Sequence, residues 1–213
     1  QRATVGAMHP RISWQPNLDA LPDMPLLFVA NEFFDALPVR QYIKTSHGLY
    51  ERLVTLDEAG DALCFVDRPT EMQLVKGGEH RTEAEPSGRI SESSPLARHL
   101  CTRLGQHLAR HGGAGLIVDS GYTGETPHST LQAVRQHGFW PVLKAPGQAD
   151  ITAHVAFDDL AACFTQEGVA CAPVVSQGDF LSSIGGQARL EALLSEAQPE
   201  QRAALYTGYE RLI

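Results

Sequence analysis

The apolar positions of this chain fall into runs of distinct period. LLFVA (26–30) is a continuous apolar run bounded by Pro25 and Asn31. That pattern predicts a strand buried on both faces of a parallel sheet. AGLIVDSGY (114–122) predicts a second such strand, ending in an acid, Asp119. Between them the period changes. VRQYIKT and LYERLVTLD alternate around SHG, and LDEAGD precedes ALCFVD, which predicts an antiparallel meander over 39–66. SESSPLARHLCTRLGQHLARHGG (91–113) predicts the clearest helix. Ser93 or Ser94 caps it, and Pro95 suits its first turn. Leu96, Leu100, Leu104 and Leu108 make one stripe, and Gly112 and Gly113 end it.

The remaining segments are shorter. RISWQ (11–15) reads as a strand, and PNLDALPDMP (16–25) as a loop around a turn of helix. EFFDALP reads as a helical turn with Asn31 as N-cap. Residues 68–90 are polar and Gly-rich, a surface loop. Residues 126–157 mix strand-like and loop segments. DDLAACFTQEG (158–168) is a helix with a Gly stop, and VACAPVVSQ is a strand. Two helices follow, in GDFLSSIGGQARLEALLSEA and PEQRAALYTGYERLI. Strands alternating with helices predict an α/β domain that carries the meander as an insertion over about 39–90.

Composition narrows the choice of partner. The chain has 213 residues, which fits one domain, and 43% hydrophobic residues, enough for a core. Its net charge of −8 argues against nucleic acid as main partner, because phosphate binding needs a basic footprint. No apolar run approaches the roughly 18–20 residues of a membrane span. The four cysteines form no C-x-x-C pair and read as free thiols in a reducing compartment. No metal site is expected, since the nine histidines lack ligand spacing. His107 and His111 read as a solvated helix face. The first residues, QRATVGAM, read as the tail of a helix, so a fragment or a processed start is expected.

The stretch NEFFDALPVRQY (31–42) places Glu32 and Asp35 where the first apolar run ends. An unpaired buried carboxylate costs several kcal/mol or shifts its pKa. In open α/β sheets, however, ligands bind beyond the carboxyl ends of the strands, where Glu32, Asp35 and Asp119 all fall. Asp35 has an equal alternative, bonding backbone N–H groups or pairing with Arg40. A serine hydrolase built on Ser120 lacks the G-x-S-x-G elbow, because position 118 is Val. A dinucleotide fingerprint is also absent: in GGAGLIVD the glycines precede the strand.

These residues carry a resemblance. LLFVANEFFDALPVRQY resembles the signature of the MidA-type methyltransferases. YERLV, SPLAR before a helix, GG-x-GLIVD-x-GY, STLQAVRQHGF, PGQADITAHVAF and SQGDFLSSIG resemble that family in the expected order. The resemblance implies the class I fold for S-adenosyl-L-methionine, a mostly parallel sheet with helices on both faces. It implies a methyltransferase using that cofactor on an arginine of a protein substrate, such as a complex I subunit. The compartment would be a bacterial cytoplasm or the mitochondrial matrix.

Residue by residue, the resemblance assigns Trp14, Gln15, Ala30 and Asn31 to the cofactor. Glu32 and Asp35 would face the substrate as catalytic residues, with Asp119 beside them. Tyr122, Asp150, Thr152 and His154 would bind substrate around the same cleft. His154 or His137 could accept a proton, though a structural role ranks first for both. There are two departures. The glycine-rich turn and the ribose-binding acid of the family's first strands are expected upstream of Gln1. The family's Asp-Tyr-Gly reads Asp119-Ser120-Gly121 here. The competing reading is a non-catalytic protein-binding module on the same fold.

Overall fold

The computed structural model describes residues 12–70, 89–126 and 128–213. Two compact units divide the chain, 1–171 and 172–213. In the first unit, a 3-10 turn (Leu18–Ala20) capped by the Asn17 side chain leads into β1 (Leu26–Asn31). A four-stranded antiparallel sheet follows: β2 (Arg40–Thr45), β3 (Gly48–Leu56), β4 (Leu63–Pro69) and β5 (Arg89–Ser93), in the order β4-β3-β2-β5. This is the expected meander with one strand more. The SES of β5 is too polar to betray a strand, yet it pairs with β2 along its whole length, from Arg40↔Ser93 to Lys44↔Arg89. The rest of the expected loop, 71–88, lies outside the described residues.

Helix α1 (Pro95–His111) starts where Pro95 and the Ser94 hydroxyl predict and stops at Gly112, whose φ of 81° suits glycine. Its buried face is Ala97, Cys101, Leu104, Gly105 and Leu108, so the core stripe is turned away from the exposed Leu96. Next comes β6 (Gly113–Val118), parallel to β1 in the register Leu26↔Gly113 to Asn31↔Val118. The glycines before its apolar run serve this pairing. A Cβ on Gly113 would lie 1.9 Å from the Leu26 carbonyl oxygen, and one on Gly115 would lie 2.1 Å from the Phe28 ring.

Beyond β6 the strands are short. β7 (Gly121–Tyr122) runs parallel to β11 (Val155–Ala156). Between them, β8 (Gln132–Arg135), β9 (Gly138–Trp140) and β10 (Asp150–Thr152) form a three-stranded antiparallel sheet. The β8–β9 hairpin turns through Gln136 and His137, both at positive φ, as a type I′ turn requires. Helix α2 (Phe157–Gln166) closes the unit. The second unit is helical: α3 (Gln177–Ser183), α4 (Gly186–Glu196) and α5 (Pro199–Glu210).

The core joins Phe34, Val155, four side chains of α1 and three of α2, with Leu26, Phe28, Ala30 and Ile117 packed against it. Phe28 stacks on Phe164 of α2 with ring centroids 6.4 Å apart. These helices cover only the face of β1 that carries Leu26, Phe28 and Ala30. On the other face, within this chain, Leu27 is 82% and Val29 73% exposed.

Three expectations are corrected. Residues 12–15 of RISWQ and residues 169–176 of VACAPVVSQ form no strand, since neither has a ladder partner among the described residues. EFFDALP is a turn rather than a helical turn, and Asn31 ends the strand instead of capping. His107 and His111 are not simply solvated. The His107 Nε2 lies 3.0 Å from the Met24 carbonyl oxygen, and the His111 Nε2 lies 3.4 Å from Asp23 Oδ1, so both fasten the loop before β1. All four cysteines are free, and Cys101 and Cys163 are buried. Burial first, then Cys163 and Cys171, pushes the Cys101 thiol up to about 12, which keeps it protonated and inert. Among the described residues no helix is long and apolar enough to cross a membrane.

Candidate functional site

β1 and β6 end side by side, with Asn31 opposite Val118. The chain leaves β1 through Glu32 at φ 45°, a left-handed value that strains any residue bearing a side chain. Four interactions impose it. The Glu32 N–H donates to the Val118 carbonyl at 2.9 Å. Asp119 Oδ2 accepts the N–H groups of Phe33, Phe34 and Asp35 at 3.1, 2.9 and 3.3 Å. The Phe34 ring is buried in the core. The Asp35 carbonyl accepts the Ala153 N–H at 2.9 Å. The turn is thus rigid while the Asn31 and Glu32 side chains remain exposed.

Asp119 is consumed by this work, since its Oδ1 also accepts the Ser120 N–H at 2.9 Å. Asp35 is half-buried, and its carboxyl is raised above the ordinary 3.8 by burial first, then by Asp119, with Glu32 adding to the effect. Arg40 is drawn elsewhere, to Glu51 at 3.7 Å.

Next to this turn lies a small open cleft lined by Phe34, Ala153, Val155 and Leu160 and by Glu92, Tyr122, His154 and Asp159. One carboxylate builds its wall. Glu92 Oε1 accepts from Gln41 Nε2 at 2.7 Å and from the Thr130 N–H at 3.1 Å, while Oε2 accepts the Thr130 hydroxyl. Thr130 Oγ1 in turn accepts the His154 N–H at 2.9 Å. This chain of bonds ties β2 and β5 to the segment between β10 and β11. Gln41, 5% exposed, has its amide satisfied there. The Tyr122 phenol is raised above its ordinary value by burial first, then by Glu92 and Asp159, so it stays protonated.

The residues singled out in the sequence separate into groups. Asn31, Glu32, Asp35 and Asp119 converge on the strand-end turn. Tyr122 and His154 line the cleft. Thr152, on β10, accepts from Gln132 Nε2 at 3.3 Å, and Asp150 is exposed on the same strand; neither lines that cleft. His137 sits at the left-handed tip of a hairpin. Trp14 is half-buried and Gln15 exposed, both in irregular chain ahead of the 3-10 turn, while Ala30 packs on the core. Sequence reasoning missed Phe34, Glu92, Thr130 and Asp159. Glu92 had a faint signal, an acid between two serines ahead of a helix cap, but its partners are 37 or more residues away.

At the strand end Asn31 offers an exposed amide beside the small Ala30, a polar donor suited to one part of a nucleoside thioether. The described glycines on β6 are filled by Leu26 and Phe28 and leave no phosphate cradle.

Comparison with known proteins adds to this geometry. Residues 1–175 match the family model described as "Putative S-adenosyl-L-methionine-dependent methyltransferase". The chain is 36% identical over 207 residues to the mitochondrial protein arginine methyltransferase NDUFAF7 of Danio rerio, covering 95% of this chain and 47% of that protein. The Homo sapiens protein of the same name is 34% identical over 204 residues, covering 95% of this chain and 45% of that one. The chain thus spans about half the length of these relatives. A Burkholderia thailandensis protein crystallised with S-adenosyl-homocysteine superposes with a TM-score of 0.79 at 27% identity, covering all of this chain and 56% of its own.

Proposed function

This chain belongs to that family of S-adenosyl-L-methionine-dependent methyltransferases, and from that premise we propose that it serves methyl transfer to an arginine side chain of a protein. One observation carries the reading: a carboxylate, Glu32, is held in a strained conformation beside Asn31 where two parallel strands end. The relatives named protein arginine methyltransferase support the choice of acceptor.

When bound, the cofactor supplies an electrophilic methyl group on a sulfonium. Trp14, Gln15, Ala30 and Asn31 would hold it. The rest falls to this chain's own groups. Glu32 pairs with the acceptor guanidinium and orients one nitrogen, a match that a carboxylate makes with two parallel hydrogen bonds. Methylation of that nitrogen releases one proton, which Asp35, in the same turn, would receive and pass to water. Asp119 positions both acids through the backbone and does not meet the substrate. Tyr122, Asp150, Thr152 and His154 would contact the acceptor. By family resemblance the acceptor would be an arginine of a complex I subunit, in the mitochondrial matrix or, for a bacterial chain, the cytoplasm.

Isothermal titration of the full-length protein with S-adenosyl-L-methionine, followed by methyl transfer to arginine peptides, tests this. Glu32→Gln is expected to lower kcat about 100-fold with cofactor affinity unchanged. Unchanged methyl transfer would sink the role of Glu32. Absence of cofactor binding would leave the non-catalytic module in its place.

A further inference from the structure

The bonds of Glu92 do not end at the cleft wall. Its carboxylate, on β5, meets four donors: Gln41 Nε2, the Ser129 hydroxyl, the Thr130 N–H and the Thr130 hydroxyl. Gln41, buried on β2, donates to both Glu92 and Ser129, at 2.7 and 2.6 Å, and keeps the carboxylate and residues 129–130 together. Because the Thr130 hydroxyl gives its proton to Glu92, its lone pairs serve another donor, and it accepts the His154 N–H at 2.9 Å. The amides on either side lead elsewhere. The Ala153 N–H donates to the Asp35 carbonyl at 2.9 Å, and the Val155 N–H donates to the Ser120 carbonyl at 2.8 Å. Three successive amides thus hold residues 153–155: one to the turn that carries Glu32 and Asp35, one to Thr130, and one to the residue after Asp119. Two of the acceptors are backbone carbonyls. The Thr130 hydroxyl is a rotor, and it has a fixed acceptor direction only while Glu92 takes its proton.

We infer that Glu92 and Thr130 are positioning residues for the strand-end turn. The carboxylate orients the Thr130 hydroxyl, the hydroxyl holds residues 153–155, and Ala153 holds the turn at Asp35. A residue of the antiparallel sheet thereby acts on Glu32 and Asp35 through the backbone between them. The coupling stands on this chain of bonds, and its consequence for catalysis rests on the methyl-transfer reading.

The test compares the full-length parent protein with Thr130→Val, Thr130→Ser and Glu92→Gln. Amide hydrogen exchange is followed at the turn and across the chain, together with methyl transfer to an arginine peptide and titration with S-adenosyl-homocysteine. Thr130→Val keeps the branched shape and removes the hydroxyl. It is expected to speed exchange of the Phe34, Asp35 and Ala153 amides about tenfold beyond any general rise. It should also lower kcat about tenfold with cofactor affinity unchanged. Thr130→Ser keeps the hydroxyl and should restore both. Glu92→Gln should act as Thr130→Val does, because an amide cannot accept from all four donors. A role confined to the cleft wall would leave exchange at the turn as it is in the parent. Exchange that rises only in step with the whole protein, a kcat equal to that of an active parent, or no rescue by Thr130→Ser would each overturn the inference. If the parent transfers no methyl group while Thr130→Val still loosens the turn selectively, the methyl-transfer reading fails and the coupling stands. If the parent is active and Thr130→Val matches it, with the turn equally protected, only the coupling fails.

Discussion

The Asp119 carboxylate caps a turn that belongs to another strand: its Oδ2 accepts the Phe34 N–H at 2.9 Å, across 85 residues of sequence. The same oxygen takes the N–H groups on either side, so one acid at the end of β6 sets the backbone leaving β1. Asp119→Asn replaces one acceptor oxygen with a donor that faces these N–H groups. A loss of about 1–3 kcal/mol is expected, read as a lower urea midpoint with an unchanged slope. A variant as stable as the parent would show that the carboxylate does not hold the turn.

Glu32 sits at φ 45°. Glycine accepts that conformation freely, so Glu32→Gly should gain up to about 1 kcal/mol after the entropy it adds to the unfolded chain. Methyl transfer should fall at the same time. A stability gain coupled to lost activity marks strain kept for function; a stability loss would mean that the Glu32 side chain supports the fold.

Asp35 ties stability to pH. Its folded-state carboxyl is raised above 3.8, so the folded protein holds this proton more tightly than the unfolded chain. The resulting contribution is fully present below the ordinary value and is lost as pH rises through the raised one. Asp35→Asn should therefore be more stable than the parent at neutral pH, with a gap that narrows toward pH 4. Urea unfolding at a series of pH values checks this, and a gap that widens on acidification would contradict the sign.

Gly113 faces the Leu26 carbonyl so closely that an added Cβ would lie 1.9 Å from the oxygen, at φ 127°. Gly113→Ala must push β6 off β1 or break their first ladder bonds. A cost of about 3 kcal/mol or more is expected, seen as a drop in thermal midpoint or loss of folded protein. A benign substitution would mean that the two strands have room to part.

Local chemistry alone determined much of this protein. LLFVA and GLIV had to be strands because their apolar runs are short and bounded. The Ser94, Pro95 and Gly112 signals set the ends of α1, because capping needs partners only a turn away. The clustering of Glu32, Asp35 and Asp119 near strand ends was legible as well, once both runs were read as parallel strands. Other features depended on residues far apart in sequence. Polar β5 is a strand only because β2 lies beside it. Above all, only the tertiary structure could divide the acids by role. A carboxylate's task depends on which N–H groups and cations the fold brings to it, and Asp119, Glu92 and Asp159 each meet theirs from a distant segment.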